Sequence, residues 1–257
     1  MKFHARLSTA AEILPLRTRH RAEMNCQIVH DSIHRRQGWT LSYLLDSEGT
    51  IAGFGSVAIG GPWTGKPTVF EFYVLPEFRH RAFDLFETFL AAGNPQFFEV
   101  QSNDSLVTVL SLTYGQNIAT ESIVFRDEQT TSLPANGGVL RGVTSDEEIR
   151  ANLERRQGGG EWLLELEGAE VGKGGILFHY NRPYGDVYME VNEPFRKRGF
   201  GSYLVQELKR VCYTLGAIPA ARCNPTNVAS RKTLQRAGFV PYAHILNGTI
   251  ATTRAPA

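Results

Sequence analysis

The pattern of apolar and polar residues predicts a strand, a turn and a helix late in the chain. Across residues 186–191 the two classes alternate, which is typical of a strand with one buried face. The apolar set is Val187, Met189 and Val191, and the polar set is Asp186, Tyr188 and Glu190. From Leu204 onward apolar residues recur at helical spacing, so a helix is predicted from about Gly201 to Gly216. The turn between them therefore lies at a helix N-terminus.

The same periodicities predict the other elements. Strands are predicted at residues 1–6, 39–45, 51–59, 69–74, 162–166 and 171–179, and helices at residues 19–36 and 145–156. The helix at residues 19–36 would bury Ala22, Cys26, Val29 and Ile33. Residues 158–160 are predicted as a loop and residues 251–257 as a frayed tail.

The turn before the late helix has the chemistry of an anion site. The first N–H groups of a helix lack intrahelical partners, and the helix dipole favours negative charge there. Gly199 and Gly201 have no Cβ, so phosphate oxygens can approach the main chain. Arg196, Lys197 and Arg198 add positive charge. A diphosphate fits this turn, and a tight turn with a solvated basic face is the alternative.

A second motif follows downstream. Asn227 and Ser230 open another predicted helix, which ends at Gly238-Phe239. The order strand, Arg-x-x-Gly-x-Gly, helix, strand, Asn-x-x-Ser, helix, Gly-Phe closely resembles the GNAT superfamily of N-acetyltransferases. The pyrophosphate signature of that superfamily matches Arg196, Gly199 and Gly201.

The resemblance implies acetyl-CoA as cosubstrate and no metal. In such proteins the strand end before the turn binds the pantetheine arm and the thioester carbonyl, the turn amides surround the pyrophosphate, and the Asn contacts the cosubstrate near its reactive end. The cofactor-binding residues implied are Val191, Arg196, Lys197, Arg198, Gly199, Phe200, Gly201, Ser202 and Asn227. Asn227 also suits a helix N-cap, a role compatible with cofactor contact.

Three pairs of similar segments occur in the same order along the chain, which indicates an internal duplication. Residues 78–84 resemble residues 195–201 at an offset of 117, and residues 35–38 resemble residues 155–158 at an offset of 120. Gly115 corresponds to Gly238 at an offset of 123. Two GNAT-like domains are therefore predicted, at residues 1–132 and 133–257. The predicted class is α/β (α+β), with a mixed, mostly antiparallel sheet flanked by helices in each domain.

The first copy is predicted to be degenerate. Ala82 and Asp84 replace its two glycines, so a carboxylate would meet the diphosphate and a methyl group would crowd it. Asp84 is instead expected to cap the helix that follows. Acetyl-CoA is therefore expected to bind only the second copy.

The usual proton-transfer groups of the family are missing. Leu234 occupies the position of the common Tyr acid, and Arg222 that of a common Glu base. Glu190 is favoured as the base, with a pKa raised by partial burial, and Tyr188 as the acid. The alternative is that both only bind solvent or the other half.

The other residues with reactive or titratable side chains each have a structural and a functional interpretation. Cys223 suits a buried strand residue better than a nucleophile, because no His stands near it in sequence. The polar residues His30, Asp31 and His34 suit a solvated helix face, or the border of an acceptor pocket.

The composition and net charge limit the kinds of partner that the protein is expected to bind. Among 257 residues, 42% are hydrophobic and 21% charged, with a net charge of +1, which is typical of a soluble globular protein and argues against nucleic-acid or membrane binding. The three separated cysteines predict neither disulfides nor a zinc site. We expect a cytoplasmic N-acetyltransferase for a primary amine of a small molecule or peptide, with a homodimer left open. The alternative is a catalytically inactive acyl-CoA-binding regulatory or scaffold protein.

Overall fold

The structure is a computed structural model and describes residues 2–251. Residues 252–257 of the predicted tail lie outside the described residues. The strands are β1 (Phe3–Ser8), β2 (Thr40–Ser47), β3 (Thr50–Ala58), β4 (Thr68–Val74), β5 (Phe97–Gln101), β6 (Gly115–Asp127), β7 (Val139–Gly142), β8 (Gly159–Leu166), β9 (Ala169–Leu177), β10 (Tyr184–Val191), β11 (Ile218–Cys223) and β12 (Phe239–Ile250). The α-helices are α1 (Ala10–Met24), α2 (Ala82–Gly93), α3 (Ser105–Tyr114), α4 (Asp146–Arg155), α5 (Phe200–Thr214) and α6 (Val228–Arg236).

Two compact units make up the described chain. The first comprises residues 2–25, 33–121 and 244–251, and the second residues 26–32 and 122–243. The predicted class is confirmed, because each unit holds a mixed sheet with helices. The predicted duplication, with its boundary near Leu133, stays a prediction.

Each unit has the same strand plan. In the first, β1, β2, β3 and β4 pair antiparallel in that order, β4 pairs parallel with β5, and β5 pairs antiparallel with β12. In the second, β7, β8, β9 and β10 pair antiparallel, β10 pairs parallel with β11, and β11 pairs antiparallel with β6. A single parallel pair therefore interrupts an antiparallel sheet in each unit, and the candidate site lies at the second of these pairs.

The helix predicted at residues 19–36 has the wrong bounds, because only residues 19–24 belong to an α-helix, α1, although Cys26, Val29 and Ile33 are buried as predicted. The capping box of Thr9 and Glu12 begins α1 at Ala10, and α1 ends where Asn25 adopts a left-handed φ of 44°. Ala22 is exposed, whereas His30 and Asp31, expected on a solvated face, are buried. The segment after Asn25 is irregular because its main chain bonds to a side chain: Asn181 accepts from the Ile28 amide and donates to the Cys26 carbonyl.

Two smaller predictions also need correction. Asp84 does not cap α2, because a 3₁₀ helix at Pro76–Arg81 runs directly into Ala82 and makes Arg81 the N-cap residue. Asp84 instead lies in the first turn of α2. Gly159 and Gly160, expected in a loop, begin β8 and pair with Leu177 and Ile176. A side chain on Gly159 would meet the Ile176 carbonyl oxygen at 2.3 Å, so the strand needs a glycine there.

The buried His20 should make the stability of the first unit depend on pH. His20 Nε2 lies 2.9 Å from Asp104 Oδ2. Burial lowers the pKa of His20, but the hydrogen bond and charge of Asp104 outweigh burial and raise it. A raised pKa in the folded state gives stability that is present below the unfolded pKa and is lost as pH rises through the folded pKa. We therefore expect the free energy of unfolding, measured by urea titration, to fall from about pH 6.5 upward.

The His20→Gln variant isolates this effect, because Gln can occupy the site but does not titrate. Its free energy of unfolding should depend less steeply on pH across the same interval than that of the parent chain. Equal slopes for the two proteins would remove His20 as the cause.

Candidate functional site

The second unit opens a cleft where two parallel strands separate. β10 and β11 pair only at Tyr184–Ile218, Gly185–Pro219 and Asp186–Ala220. Beyond Asp186, β10 continues to Val191 beside β9, while β11 continues to Cys223 beside β6. The facing edges of β10 and β11 have no strand between them in the described chain. Main-chain groups of β10 are therefore available to a ligand that enters the cleft.

Side-chain hydrogen bonds to main-chain carbonyls hold the turn from β10 to α5. Arg196 Nε donates to the Val191 carbonyl at 3.0 Å, and Asn136 Nδ2 donates to the Arg198 carbonyl at 3.1 Å. Lys197 and Gly199 have φ values of 62° and 89°. At Gly199 the left-handed conformation favours glycine, because a Cβ there is strained.

The first turn of α5 has free main-chain donors. Gly199 is its N-cap residue, no side chain caps the helix, and its first turn holds no acidic residue. The amides at Phe200, Gly201 and Ser202 precede the first intrahelical hydrogen bond, which Tyr203 donates to Gly199 at 3.1 Å. Three adjacent N–H groups therefore have no intrahelical partner at the positive end of the helix dipole.

A cleft of about 430 Å³ connects the opened strands with this helix start. It is lined by Met189, Glu190, Val191, Phe195, Arg196, Lys197, Gly199, Gly201, Ser202, Asn227, Ala229, Ser230, Lys232, Thr233 and Arg236. Seven of the nine residues that the sequence implied for cofactor binding line it, together with Glu190. Of the other two, Phe200 is buried, and the Arg198 guanidinium lies over the Phe195 and Phe200 rings at 5.6 and 5.2 Å.

The lining is strongly basic. Arg196, Lys197, Lys232 and Arg236 carry positive charge, and Glu190 is the one carboxylate among the lining residues. None of the four cations has an ion-pair partner in residues 2–251. Lys232 and Arg236 were missed by sequence reasoning, although their i, i+4 spacing places them on one face of α6. Such a cleft favours a ligand with several negative charges.

The second helix start also faces the cleft. Asn227 caps α6, and its side chain accepts from the Ser230 amide at 2.9 Å. The capping role predicted for Asn227 is therefore present.

Cys223 is buried at the end of β11, and burial raises the pKa of its thiol. No disulfide joins Cys26, Cys212 and Cys223, and all three are buried.

The polar face of β10 is more open than expected. Glu190 is exposed and stands opposite Lys173 of β9, so the partial burial expected of its side chain was wrong. The Tyr188 hydroxyl lies 3.4 Å from Glu161 Oε2. Burial and the charge of Glu161 raise the pKa of Tyr188, which keeps the hydroxyl protonated. Tyr188 does not line the cleft, but it shares a strand face with Glu190.

The buried member of this strand face is Asp186. It lies where the paired part of β10 and β11 ends, with His179 Nε2 at 3.1 Å and Arg222 Nε at 3.8 Å from its Oδ2. Its side chain is 8% exposed. Sequence reasoning named Asp186 but missed the grouping, because His179 follows β9 and Arg222 lies in β11.

The first unit has a similar turn, but carboxylates of the chain lie near its basic side chain and its helix start. Arg79 Nε donates to the Val74 carbonyl at 3.1 Å, as Arg196 does to Val191. Arg79 also forms an ion pair with Glu23, whose carboxylate accepts from the Tyr73 hydroxyl. Asp84 puts negative charge in the first turn of α2. The cationic side chain and the helix start of this unit therefore already face carboxylates of the chain.

Comparison with known proteins identifies the class of the second unit. The model of the Acetyltransferase (GNAT) family matches residues 125–239, which contain the cleft, the glycine turn and both helix starts. These residues form a GNAT-family domain. A comparison with curated protein sequences gives no match.

Solved structures share the fold over nearly the whole chain. A GNAT-family acetyltransferase from Colwellia psychrerythraea superposes with a TM-score of 0.68 at 16% identity, covering 97% of this chain and 100% of its own. A tandem GNAT protein from the clavulanic acid biosynthesis pathway gives 0.62 at 15% identity, covering 98% and 100%. A GCN5-related N-acetyltransferase from Sphaerobacter thermophilus gives 0.61 at 17%, covering 96% and 95%. At these identities the likeness establishes the GNAT fold.

In residues 2–251, no helix is both long and apolar enough to span a bilayer. The same residues contain no group of three or more His, Cys, Asp or Glu side chains arranged to hold a metal ion.

Proposed function

We propose that the chain transfers an acetyl group from acetyl-CoA to a primary amine of a small molecule or peptide. The observation that carries the proposal is the uncapped start of α5, which meets a basic cleft at the point where β10 and β11 separate. The GNAT-family match of this region supports acyl transfer. A cytoplasmic location and a homodimer stay predictions.

The cosubstrate would lie along the cleft in one direction. Its diphosphate would accept from the amides of Phe200, Gly201 and Ser202, with Arg196 and Lys197 as counter-charges. Its pantetheine arm would run along the free edge of β10 at Val191, which points the thioester toward Asp186. Asn227 lies on the opposite wall, where its amide can contact the arm while it caps α6.

The transfer needs one proton removed and one supplied. The amine nitrogen attacks the thioester carbonyl carbon, the C–S bond breaks, and the amine loses a proton while the thiolate gains one. We assign Glu190 as the proton acceptor, directly or through water, since it is the carboxylate in the cleft lining. Tyr188, whose raised pKa keeps it protonated, is the donor on the same strand face.

A second candidate function has its own observation. Leu234 is buried in the core of the second unit, so the α6 position that could have offered an acid gives none. That arrangement suits an acyl-CoA-binding regulatory or scaffold protein without turnover.

Release of CoA thiol separates the two functions. The purified chain is mixed with acetyl-CoA and a panel of primary amines, and free thiol is followed with a thiol reagent. We expect release that depends on the amine and on the chain, and that Gly201→Asp abolishes. Acetyl-CoA binding without amine-dependent release across the panel would instead support the regulatory protein.

A further inference from the structure

A lysine stands beside the two residues assigned to proton transfer. Lys173 of β9 is directly opposite Glu190 of β10 in the antiparallel register, and both side chains are exposed. Side chains directly opposite each other in such a pair lie on the same face of the sheet, with their Cβ atoms about 5 Å apart. The chain therefore carries a primary amine of its own at this position, the kind of group that the proposed reaction acetylates.

The Tyr188 hydroxyl lies over the same part of the sheet. A Cβ built on Gly175, two residues after Lys173 in β9, would be 2.7 Å from Tyr188 Oη. Because Gly175 has no side chain, the Tyr188 ring has room to lie there. Alternation places Lys173 and Gly175 on one face of β9, and the strand register aligns that face with Tyr188 and Glu190 of β10. The proposed acid, the proposed base and the amine therefore share one sheet face.

The Lys173 ammonium is not held by the rest of the described chain. It makes no hydrogen bond and no ion pair with another residue among residues 2–251, although Glu190 stands opposite. Its four-carbon stem extends about 6 Å from the Cα atom. Neighbouring strands lie only about 4.8 Å apart. The amine can therefore reach across β10 to the free edge of that strand, where the proposed function places the thioester.

We propose that Lys173 is acetylated by its own chain when acetyl-CoA is bound and no external amine competes. This inference rests on the proposed function and adds a modification site outside the cofactor cleft, since Lys173 is not among the residues that line it. Turnover of an external amine does not require Lys173.

The transfer to Lys173 uses the groups already assigned to the reaction. Once its ammonium has lost a proton to solvent, the neutral amine attacks the thioester carbonyl carbon, an N–C bond forms and the C–S bond breaks. The nitrogen loses a further proton to Glu190, and the thiolate gains one from Tyr188. The products are Nε-acetyl-Lys173 and CoA.

Peptide mass spectrometry of the full chain after incubation with acetyl-CoA alone tests the modification. We expect acetylation of Lys173 at least about 100-fold faster than that of Lys66, because an amine held beside the thioester reacts in an effectively unimolecular step. Lys66 is exposed in the first unit and reports spontaneous acetylation. The rate constant at Lys173 should not depend on the chain concentration. Lys173→Arg should abolish the release of one CoA thiol per chain that accompanies the modification.

Two further variants separate the enzymatic reaction from spontaneous chemistry. Gly201→Asp, which weakens cofactor binding, and Glu190→Gln, which removes the base, should each slow the acetylation of Lys173. Neither variant should change the acetylation of Lys66. An unchanged rate at Lys173 in Gly201→Asp would assign the modification to acetyl-CoA in solution and would overturn the proposal.

The remaining outcomes distinguish this proposal from the proposed function. If Lys173 were acetylated no faster than Lys66 while an external amine was turned over, self-acetylation would be refuted and the proposed function would stand. A rate constant that rose with chain concentration would mean that one chain modifies another, which contradicts transfer within a chain. Absence of both self-acetylation and amine-dependent thiol release would overturn the proposed function together with this inference.

Discussion

Gly201→Asp should lower the affinity for acetyl-CoA about 100-fold. The new carboxylate would lie in the first turn of α5, where it faces the diphosphate and competes for the free amides. Like charges about 4 Å apart cost about 1 kcal/mol in water and about 4 kcal/mol at an effective dielectric of 20. The upper figure corresponds to a loss of more than 100-fold. Affinity is measured by titration, with a thermal melt to show that the variant is folded.

Gly201→Ala is the matched control for this prediction. A Cβ at Gly201 would meet Thr233 and Val191 side-chain atoms at 3.4 Å, which is ordinary van der Waals contact, so Ala fits without added charge. We expect its affinity to stay within a few-fold of the parent chain. An equal loss for Ala and Asp would assign the effect to shape and would refute the electrostatic account of the turn.

Glu190→Gln should lower kcat by about 100-fold or more, the range that general bases contribute. The amide keeps the size of the side chain but cannot accept the proton of the attacking amine. Because Glu190 is exposed, the substitution should leave the melting temperature almost unchanged. The measurement is turnover with a primary amine that the thiol assay has identified, from about pH 6 to about pH 9.

Lys173→Gln is the control for Glu190, since Lys173 stands directly opposite on β9 and is also exposed. Unchanged turnover of Glu190→Gln across that pH range would show that Glu190 is not the base. If Asp186→Asn then abolished turnover, the proton acceptor would lie at the pair of Asp186 and His179 instead.

The sequence predicted the part of the site that local patterns encode. Period-2 alternation located β10, helical spacing located α5, and glycines marked the turn that needs φ above zero. The N-cap at Asn227 could be predicted in the same way, because a short polar side chain just before a helix accepts from the amides of its first turn.

Features formed by residues distant in sequence were not predictable in this way. Asn181 holds the chain at Cys26 and Ile28, more than 150 residues earlier, and so overrides the helical spacing of residues 19–36. The grouping of His179 with Asp186 depends on strand pairing across β9 and β10. The exposure of Glu190 likewise depends on what covers the sheet face, which the alternation of β10 does not specify.

The most direct test of the central claim is the stoichiometry of acetyl-CoA binding by isothermal titration. We expect one site per chain, because the start of α5 in the second unit is open while Arg79 in the first unit is paired with Glu23 and Asp84 lies in the first turn of α2. Two sites would mean that the first unit accepts a diphosphate despite those carboxylates, and no binding would remove the acetyltransferase account altogether.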